Sequence, residues 1–269
     1  MAEFNSILLV GCGNMAGAML QGWLAAGLGP ERFTVADPAP RDMPPRVRTL
    51  ASIPSEGSFD VVLLGVKPQL LGDVAPRVGA LAGAGTVLVS ILAGVELAVL
   101  EGRFPHAAGW VRVMPNLAAS LGKSPMALAA RGLDEAGRAA AMELLAPLGT
   151  PEWVDEDEFD LVTALAGSGP AFVYRFIDAL ATASADLGLP QDKARRLALA
   201  MVDGAAALAA ASPHDPDELA RRVASPGGVT RAGLDALDEG DALRRLVERT
   251  LRAARDRSAA LAAEARGEG

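Results

Sequence analysis

The run ILLVGCGNMAGAM, residues 7–19, limits the possible folds more than any other stretch of the chain. Four apolar residues of strand length lead straight into Gly11, Gly13 and Ala16, and a helical pattern follows. Glycine at 11 permits a tight turn, glycine at 13 lets a pyrophosphate approach the backbone, and a small residue at 16 allows close helix-strand packing. The amides that open the helix then face the phosphates. A second strand-like run, 33–36, ends at Asp37, twenty-one positions past Ala16, where a carboxylate can take ribose hydroxyls. Asp37 favours NADH over NADPH, because it would repel a 2′-phosphate; Arg41, close by in sequence, blurs that choice.

The first half continues the alternation. Apolar runs at 6–10, 33–36, 61–66, 86–91 and 110–114 have the length of buried strands, with another near 126–130. Helical patterns at 15–26, 70–81 and 134–145 lie between or after them. This predicts βαβ units and a parallel sheet. The uncharged stretch from Val78 to Val95 is interrupted by glycines at 79, 83, 85 and 94, so it reads as helix end, turn and buried strand and not as a membrane span.

After the acidic patch Asp155-Glu156-Asp157-Glu158 the sequence turns to Ala, Leu and Arg at helical spacing. Breaks fall at Gly188-Leu189-Pro190, at Ser212-Pro213 and at Ser225-Pro226-Gly227-Gly228. The expected fold is therefore α/β: an N-terminal Rossmann-type parallel-sheet domain, 1–155, followed by an all-α domain, 156–269. A chain of 269 residues with 51% hydrophobic content is near the upper limit for one core, which also favours two domains.

A net charge of −8 argues against nucleic acid or an anionic membrane as partner and leaves a small-molecule ligand. One cysteine, Cys12, makes no internal disulfide, and His106 and His214 cannot build a conventional multi-histidine metal site. No metal is expected, and both histidines read as surface residues. The N-terminal stretch MAEFNSILLVG has neither the basic start nor the cleavage site of a signal peptide, so the expected compartment is the cytoplasm. The C-terminal stretch from Arg244 to Arg257 mixes signs and reads as a solvated helix face.

Two strand ends carry further candidates. GVKPQ, residues 65–69, places Lys67 at the carboxyl edge of the sheet, where ligands sit; an ordinary exposed loop lysine is the alternative. VMPN, residues 113–116, can put Asn116 beside a nicotinamide, or can be a strand-end turn.

Taken in order, GCGNMAGAM, VKPQ, SILAGV, RVMPN, ALAGSGPAFVY and SPGGVTRAGLDAL resemble the pyrroline-5-carboxylate reductase family over nearly the whole chain. The last element is the most specific. The resemblance implies NADPH- or NADH-dependent reduction of 1-pyrroline-5-carboxylate to L-proline, the final step of proline biosynthesis, without a metal. It also implies a helical dimerisation domain that interlocks with a second subunit, and assembly beyond the dimer, such as a decamer. Its cofactor contacts fall on Gly11 to Ala16, including Asn14 and Met15, on Val66, Lys67 and Pro68, and on Ala93 and Gly94. Its substrate contacts fall on Ser225, Gly227, Gly228, Val229 and Thr230, and on Glu156. Three departures from the family pattern stand out: Asp37-Pro38 after the second strand, Pro213 and Asp215 ahead of SPGG, and Arg222.

The SPGG stretch fits a carboxylate. Proline suits a helix entrance and two glycines free the backbone, so the unpaired amides and positive dipole end of the next helix can receive an anion. The Thr230 hydroxyl then lies against the ring nitrogen and is the candidate catalytic group. An ordinary turn with an N-cap is the alternative reading. GSGPAF, 167–172, reads as close packing at a domain junction or subunit interface. A β-hydroxyacid dehydrogenase would need a lysine on the first long helix of the second domain, and none occurs between Lys123 and Lys193. A dinucleotide-binding regulator without chemistry is the remaining rival.

Overall fold

The computed structural model describes residues 4–40 and 43–266. Arg41, expected to blur the coenzyme choice, lies outside them. Eight strands form one sheet: β1 (Ile7–Val10), β2 (Phe33–Ala36), β3 (Arg48–Leu50), β4 (Val61–Leu64), β5 (Val87–Ser90), β6 (Gly109–Met114), β7 (Ser124–Arg131) and β8 (Gly149–Trp153). Their order is β3-β2-β1-β4-β5-β6-β7-β8. The chain thus reverses direction across the sheet between β1 and β4, and the crevice outside the carboxyl ends of these strands is the expected ligand position.

Burial follows from the pattern of the strands. ILLV, FTVA, VVLL and VLVS are buried on both sides, as near-continuous apolar strands of a doubly covered sheet must be. On one face Ile7, Leu9 and Val35 pack with Met19 and Trp23 of α1 (Asn14–Ala25) and with Leu144 of α4 (Glu135–Leu145). On the other, Leu8, Val62 and Leu88 pack with Val78 of α2 (Leu71–Gly79) and Leu100 of α3 (Leu97–Arg103). Trp23 stacks on Phe33 at 5.4 Å between ring centroids, and its indole N–H donates to the Leu144 carbonyl at 2.7 Å.

Two departures from the expected sheet have simple causes. β6 and β7 are antiparallel, because their connection, residues 115–123, is shorter than the dozen or so residues that a parallel crossover requires. Both edge strands, β3 and β8, add to the expected set and carry no apolar strand signature: β3 is three residues with two exposed, and β8 carries Pro151, which only an edge tolerates.

The helical remainder comprises α5 (Phe159–Val162), a π-helical turn at Thr163–Gly167, α6 (Gly169–Asp186), α7 (Gln191–Ala211), α8 (Pro216–Val223), α9 (Val229–Asp238) and α10 (Ala242–Arg266). Two compact units result, one of residues up to 168 together with those from 253 onward, the other of 169–252. In the second, α6 and α7 pack as an antiparallel pair joined through Gly188, whose φ of +106° is a conformation that glycine alone adopts freely. Among the described residues no single helix is long and apolar enough to cross a membrane.

Candidate active site

The turn after β1 has the geometry of a dinucleotide cradle. Gly11 sits at φ +83°, and a Cβ there would lie 2.9 Å from both the amide nitrogen and Cγ1 of Val66. A Cβ built on Gly65 would in turn lie 2.9 Å from the Cβ of Ala16, so helix and strand end approach closely here only because residue 65 is glycine and residue 16 is small. Gly13 differs: a Cβ there would meet nothing within 4 Å, so the space over it is open for a ligand to approach the backbone. Gly13 is also the N-cap of α1 and no side chain caps that helix, which leaves its first-turn amides, from Asn14, Met15 and Ala16, available to an anion. Open space over one glycine and a bare helix start together fit a pyrophosphate.

Gly11, Gly13, Asp37, Val66 and Lys67 line one cavity of about 440 Å³, together with Arg77, which the sequence did not single out. Ser52 and Ile53, following β3, also line it. The Asp37 carboxylate is fixed by two backbone amides: Oδ2 accepts from Cys12 at 2.7 Å and Oδ1 from Ala39 at 2.9 Å. It holds the glycine turn as well as facing the cavity. Lys67 is exposed, and its carbonyl accepts from the Leu70 amide across Pro68, so the proline-shaped turn presents the ammonium at the sheet edge.

Asn116 is buried at 4% exposure. Its carboxamide caps the turn after β6, with Oδ1 accepting from the Ala118 amide and Nδ2 donating to the Ala166 carbonyl, both at 2.9 Å. The side chain therefore holds the strand-end turn to the π-helical turn at Thr163–Gly167.

Glu156 has a similar framework commitment. Its Oε1 accepts from the Leu97 amide at the start of α3 (2.7 Å) and from Nη1 of Arg112 (3.1 Å). Arg112 comes from the interior of β6, is buried, and lies over the Phe159 ring at 4.0 Å. Burial pushes its guanidinium pKa down, opposed by the hydrogen bond and charge of Glu156. A charged residue inside the apolar strand GWVRVM marks Arg112 as unusual, but nothing local to the strand identifies Glu156 as its partner. Ala93 and Gly94 follow β5; Gly94 has φ +74°, and a Cβ on it would lie 2.9 Å from the carbonyl carbon of Leu261 in α10.

In the helical unit, the SPGG stretch links α8 to α9. Gly227 has φ +71°, and the Gly228 amide donates to the Ser225 carbonyl at 2.9 Å. Gly228 is the N-cap of α9, and a Cβ there would lie 2.6 Å from the Ser225 hydroxyl and 3.0 Å from its carbonyl oxygen, so a larger residue would require the serine side chain to turn away and the turn to give. No side chain caps α9, and Val229 and Thr230 are exposed at its start. A serine stands three residues before the N-cap, yet the helix amides stay uncapped. Of the positions that depart from the family pattern, Asp215 caps α8 through the Glu218 amide at 2.8 Å, and Arg222 pairs with Glu218 at 3.0 Å. Among the described residues no three His, Cys, Asp or Glu side chains cluster as metal ligands.

The helical region matches the family model for pyrroline-5-carboxylate reductase dimerisation over residues 156–261, and residues 6–94 match that for NADP oxidoreductase, coenzyme F420-dependent. A pyrroline-5-carboxylate reductase of Pseudomonas aeruginosa is 34% identical over 264 residues, which span 95% of this chain and 96% of that one. The chain belongs to the pyrroline-5-carboxylate reductase family. The solved structure of such a reductase from Coxiella burnetii superposes with a TM-score of 0.86 at 29% identity, covering 97% of this chain and 99% of that one. The Plasmodium falciparum pyrroline carboxylate reductase, solved with NADP bound, shares the fold with a TM-score of 0.82 at 23% identity, covering 97% and 100% of the two chains. No lysine stands on α6, where the hydroxyacid dehydrogenase reading required one.

Proposed function

We propose that this chain reduces 1-pyrroline-5-carboxylate to L-proline with NADPH or NADH, acting in the cytoplasm as a homodimer or a larger ring such as a decamer. The observation that carries the reading is the cradle at Gly11–Ala16, an uncapped helix start with open space above Gly13, in a chain of this family. Residues 1–155 serve the coenzyme, and 156–269 serve the substrate and the subunit interface, except that the stretch from 253 onward belongs to the compact unit of the sheet.

Each residue then has a defined task. The amides of Gly13 to Ala16 hold the pyrophosphate, Asp37 faces the adenosine ribose, and Val66, Lys67 and Pro68 shape the sheet edge over which the coenzyme lies. Ala93 and Gly94 line the nicotinamide end, and Asn116 keeps the neighbouring turn in place. The reduced nicotinamide, when bound, supplies a hydride for the C=N carbon. The amides of Gly227, Val229 and Thr230 and the dipole of α9 receive the substrate carboxylate, with Ser225 and Gly228 shaping the turn. The Thr230 hydroxyl holds the proton at the ring nitrogen. A protonated imine is already electrophilic, so position, a carboxylate clamp and exclusion of water suffice without a strong acid-base pair. Glu156 acts one step back, by holding Arg112 and α3.

The test is loss of reduced-nicotinamide absorbance on adding pyrroline-5-carboxylate, run with each coenzyme in turn. Coenzyme binding without turnover on this or any other cyclic imine would favour a regulator instead.

A further inference from the structure

The segment from Leu92 to Leu97, which joins β5 to α3, is held at three points by parts of the chain distant in sequence. At its end the Leu97 amide donates to Glu156. At Glu96 a carboxylate oxygen pairs with Arg266, near the end of α10. At Gly94 the backbone of α10 itself is the neighbour: a Cβ would lie 2.9 Å from the Leu261 carbonyl carbon and 3.1 Å from the Ala262 nitrogen. Gly94 can approach so closely only because it lacks a side chain, and its φ of +74° turns the chain there without strain.

The helix end is fixed in turn. Ser258 is buried and its hydroxyl donates to Asp160 Oδ1 at 2.7 Å, while Ala262 is 3% exposed. Ser258, Ala262 and Arg266 recur every four residues, so one face of α10 carries all three attachments. The other cationic side chains of this part of the helix, Arg255 and Arg257, pair instead with Asp256 and Glu264 within α10.

The position of the clamped segment gives this packing a consequence. β5 lies beside β4 with Leu64 opposite Ser90, so residues 91–96 leave the sheet next to the Gly65–Lys67 edge of the coenzyme cavity. A dinucleotide whose pyrophosphate rests on α1 extends along the carboxyl ends of the strands, and one half of it must cross this edge. We propose that the terminal turns of α10, through Ser258, Ala262 and Arg266, are a positioning element for coenzyme binding: they form the back support that fixes the Ala93–Gly94 turn. The proposal rests on the reductase reading, since it takes the coenzyme to lie over this edge.

The test compares the wild type with a chain ending at Arg257, with Ala262→Phe, and with Glu96→Arg alone and combined with Arg266→Glu. Direct titration of NADH and NADPH by fluorescence gives coenzyme affinity without turnover, and steady-state kinetics give KM for each substrate. Truncation and Ala262→Phe should weaken binding of the preferred coenzyme by tenfold or more, with KM for the imine within twofold of the wild type. Glu96→Arg should weaken binding about threefold, and the double reversal should restore it. Lower thermal stability with unchanged coenzyme affinity would mean a merely structural helix end and would overturn the proposal. Should the truncated chain not fold, the charge-reversal pair decides by the same criterion. A wild type that binds neither coenzyme would bring down the reductase reading together with this one; a wild type that binds, with variants that bind equally well, would bring down this one alone.

Discussion

Nη1 of Arg112 lies 3.1 Å from Oε1 of Glu156, joining the interior of β6 to the segment that precedes α5. The arginine side chain is 4% exposed and its Nε has no partner, whereas Glu156 is 29% exposed. Removing the carboxylate would leave a buried cation with no ion-pair partner in contact, only the Phe159 ring beside it and the more weakly acting charges of Asp160 and Glu96, and would also release the Leu97 amide. Glu156→Ala should therefore destabilise the chain by about 3 kcal/mol, the usual cost of breaking such a pair from one side. Glu156→Gln, which keeps an acceptor, should cost less. Urea unfolding at constant slope measures both, and an unchanged midpoint for the alanine variant would contradict the account.

The glycines of the first turn should separate stability from binding. At Gly11 an added methyl meets Val66 backbone at 2.9 Å in a left-handed conformation, so Gly11→Ala should lose roughly 1–3 kcal/mol of stability. At Gly13 nothing lies within 4 Å and φ is an ordinary −70°. Gly13→Ala should melt as the wild type does, yet bind coenzyme roughly tenfold more weakly, since its methyl occupies pyrophosphate space worth about one hydrogen bond's energy. Thermal melts beside fluorescence titrations distinguish the two.

The same contrast separates what the sequence encodes locally from what only the folded chain brings together. The fingerprint carried the turn because its glycine spacing reflects local sterics, and six strands announced themselves because a strand buried on both faces must be apolar throughout. β3 and β8 lie at the edges, where pairing is decided by the neighbour and not by the strand's own composition. The short α3 was also missed, since its seven residues carry too few turns for periodicity to register. At the site, Gly11, Gly13 and Asp37 were legible as a local pattern, and they line one cavity. The Arg112–Glu156 pair joins residues 44 apart, and the support of Gly94 by Leu261 joins residues still farther apart, so neither leaves a spacing to recognise.

Asp37 makes a prediction about coenzyme choice. Its carboxylate is anchored by the Cys12 and Ala39 amides at the edge of the cavity, so it cannot swing aside for a 2′-phosphate. NADH should bind more tightly than NADPH, and Asp37→Ser should reverse the order, changing the ratio of dissociation constants by roughly tenfold or more, as removal of one close like-charge contact allows. The variant should also lose about 1 kcal/mol of stability through the amides it no longer satisfies fully. A ratio unmoved by the substitution would place the ribose away from this residue.

Thr230 tests the other end of the reaction. The first turn of α9 offers amides from the backbone, which a side-chain change leaves intact, so Thr230→Ala removes the hydroxyl alone. Turnover should fall roughly tenfold or more, the scale of one hydrogen bond made to the reacting group. KM for the coenzyme should stay within twofold, and Thr230→Ser should recover most of the rate. Equal losses in the serine and alanine variants would point to packing of the methyl group and not to the hydroxyl.

The helical unit cannot stand on its own surface. Within residues 169–252 the buried apolar positions are Ala181, Ala194 and Ala198, while Tyr174, Leu197, Met201 and Leu208 are each at least half exposed. Alanines alone bury too little area to order four helices and the start of a fifth, and so large an exposed apolar face calls for a covering surface. A second copy of the same chain is the expected cover, in keeping with the dimerisation family match over 156–261. Leu208→Glu or Met201→Glu would place a carboxylate in that interface at a cost of several kcal/mol, enough to shift assembly by orders of magnitude. Light scattering should then report a smaller species than the wild type gives, with turnover lost in proportion to the dissociated fraction. A wild type that is monomeric at micromolar concentration, with both variants fully active, would leave the exposed face without a partner and the dimer assignment wrong.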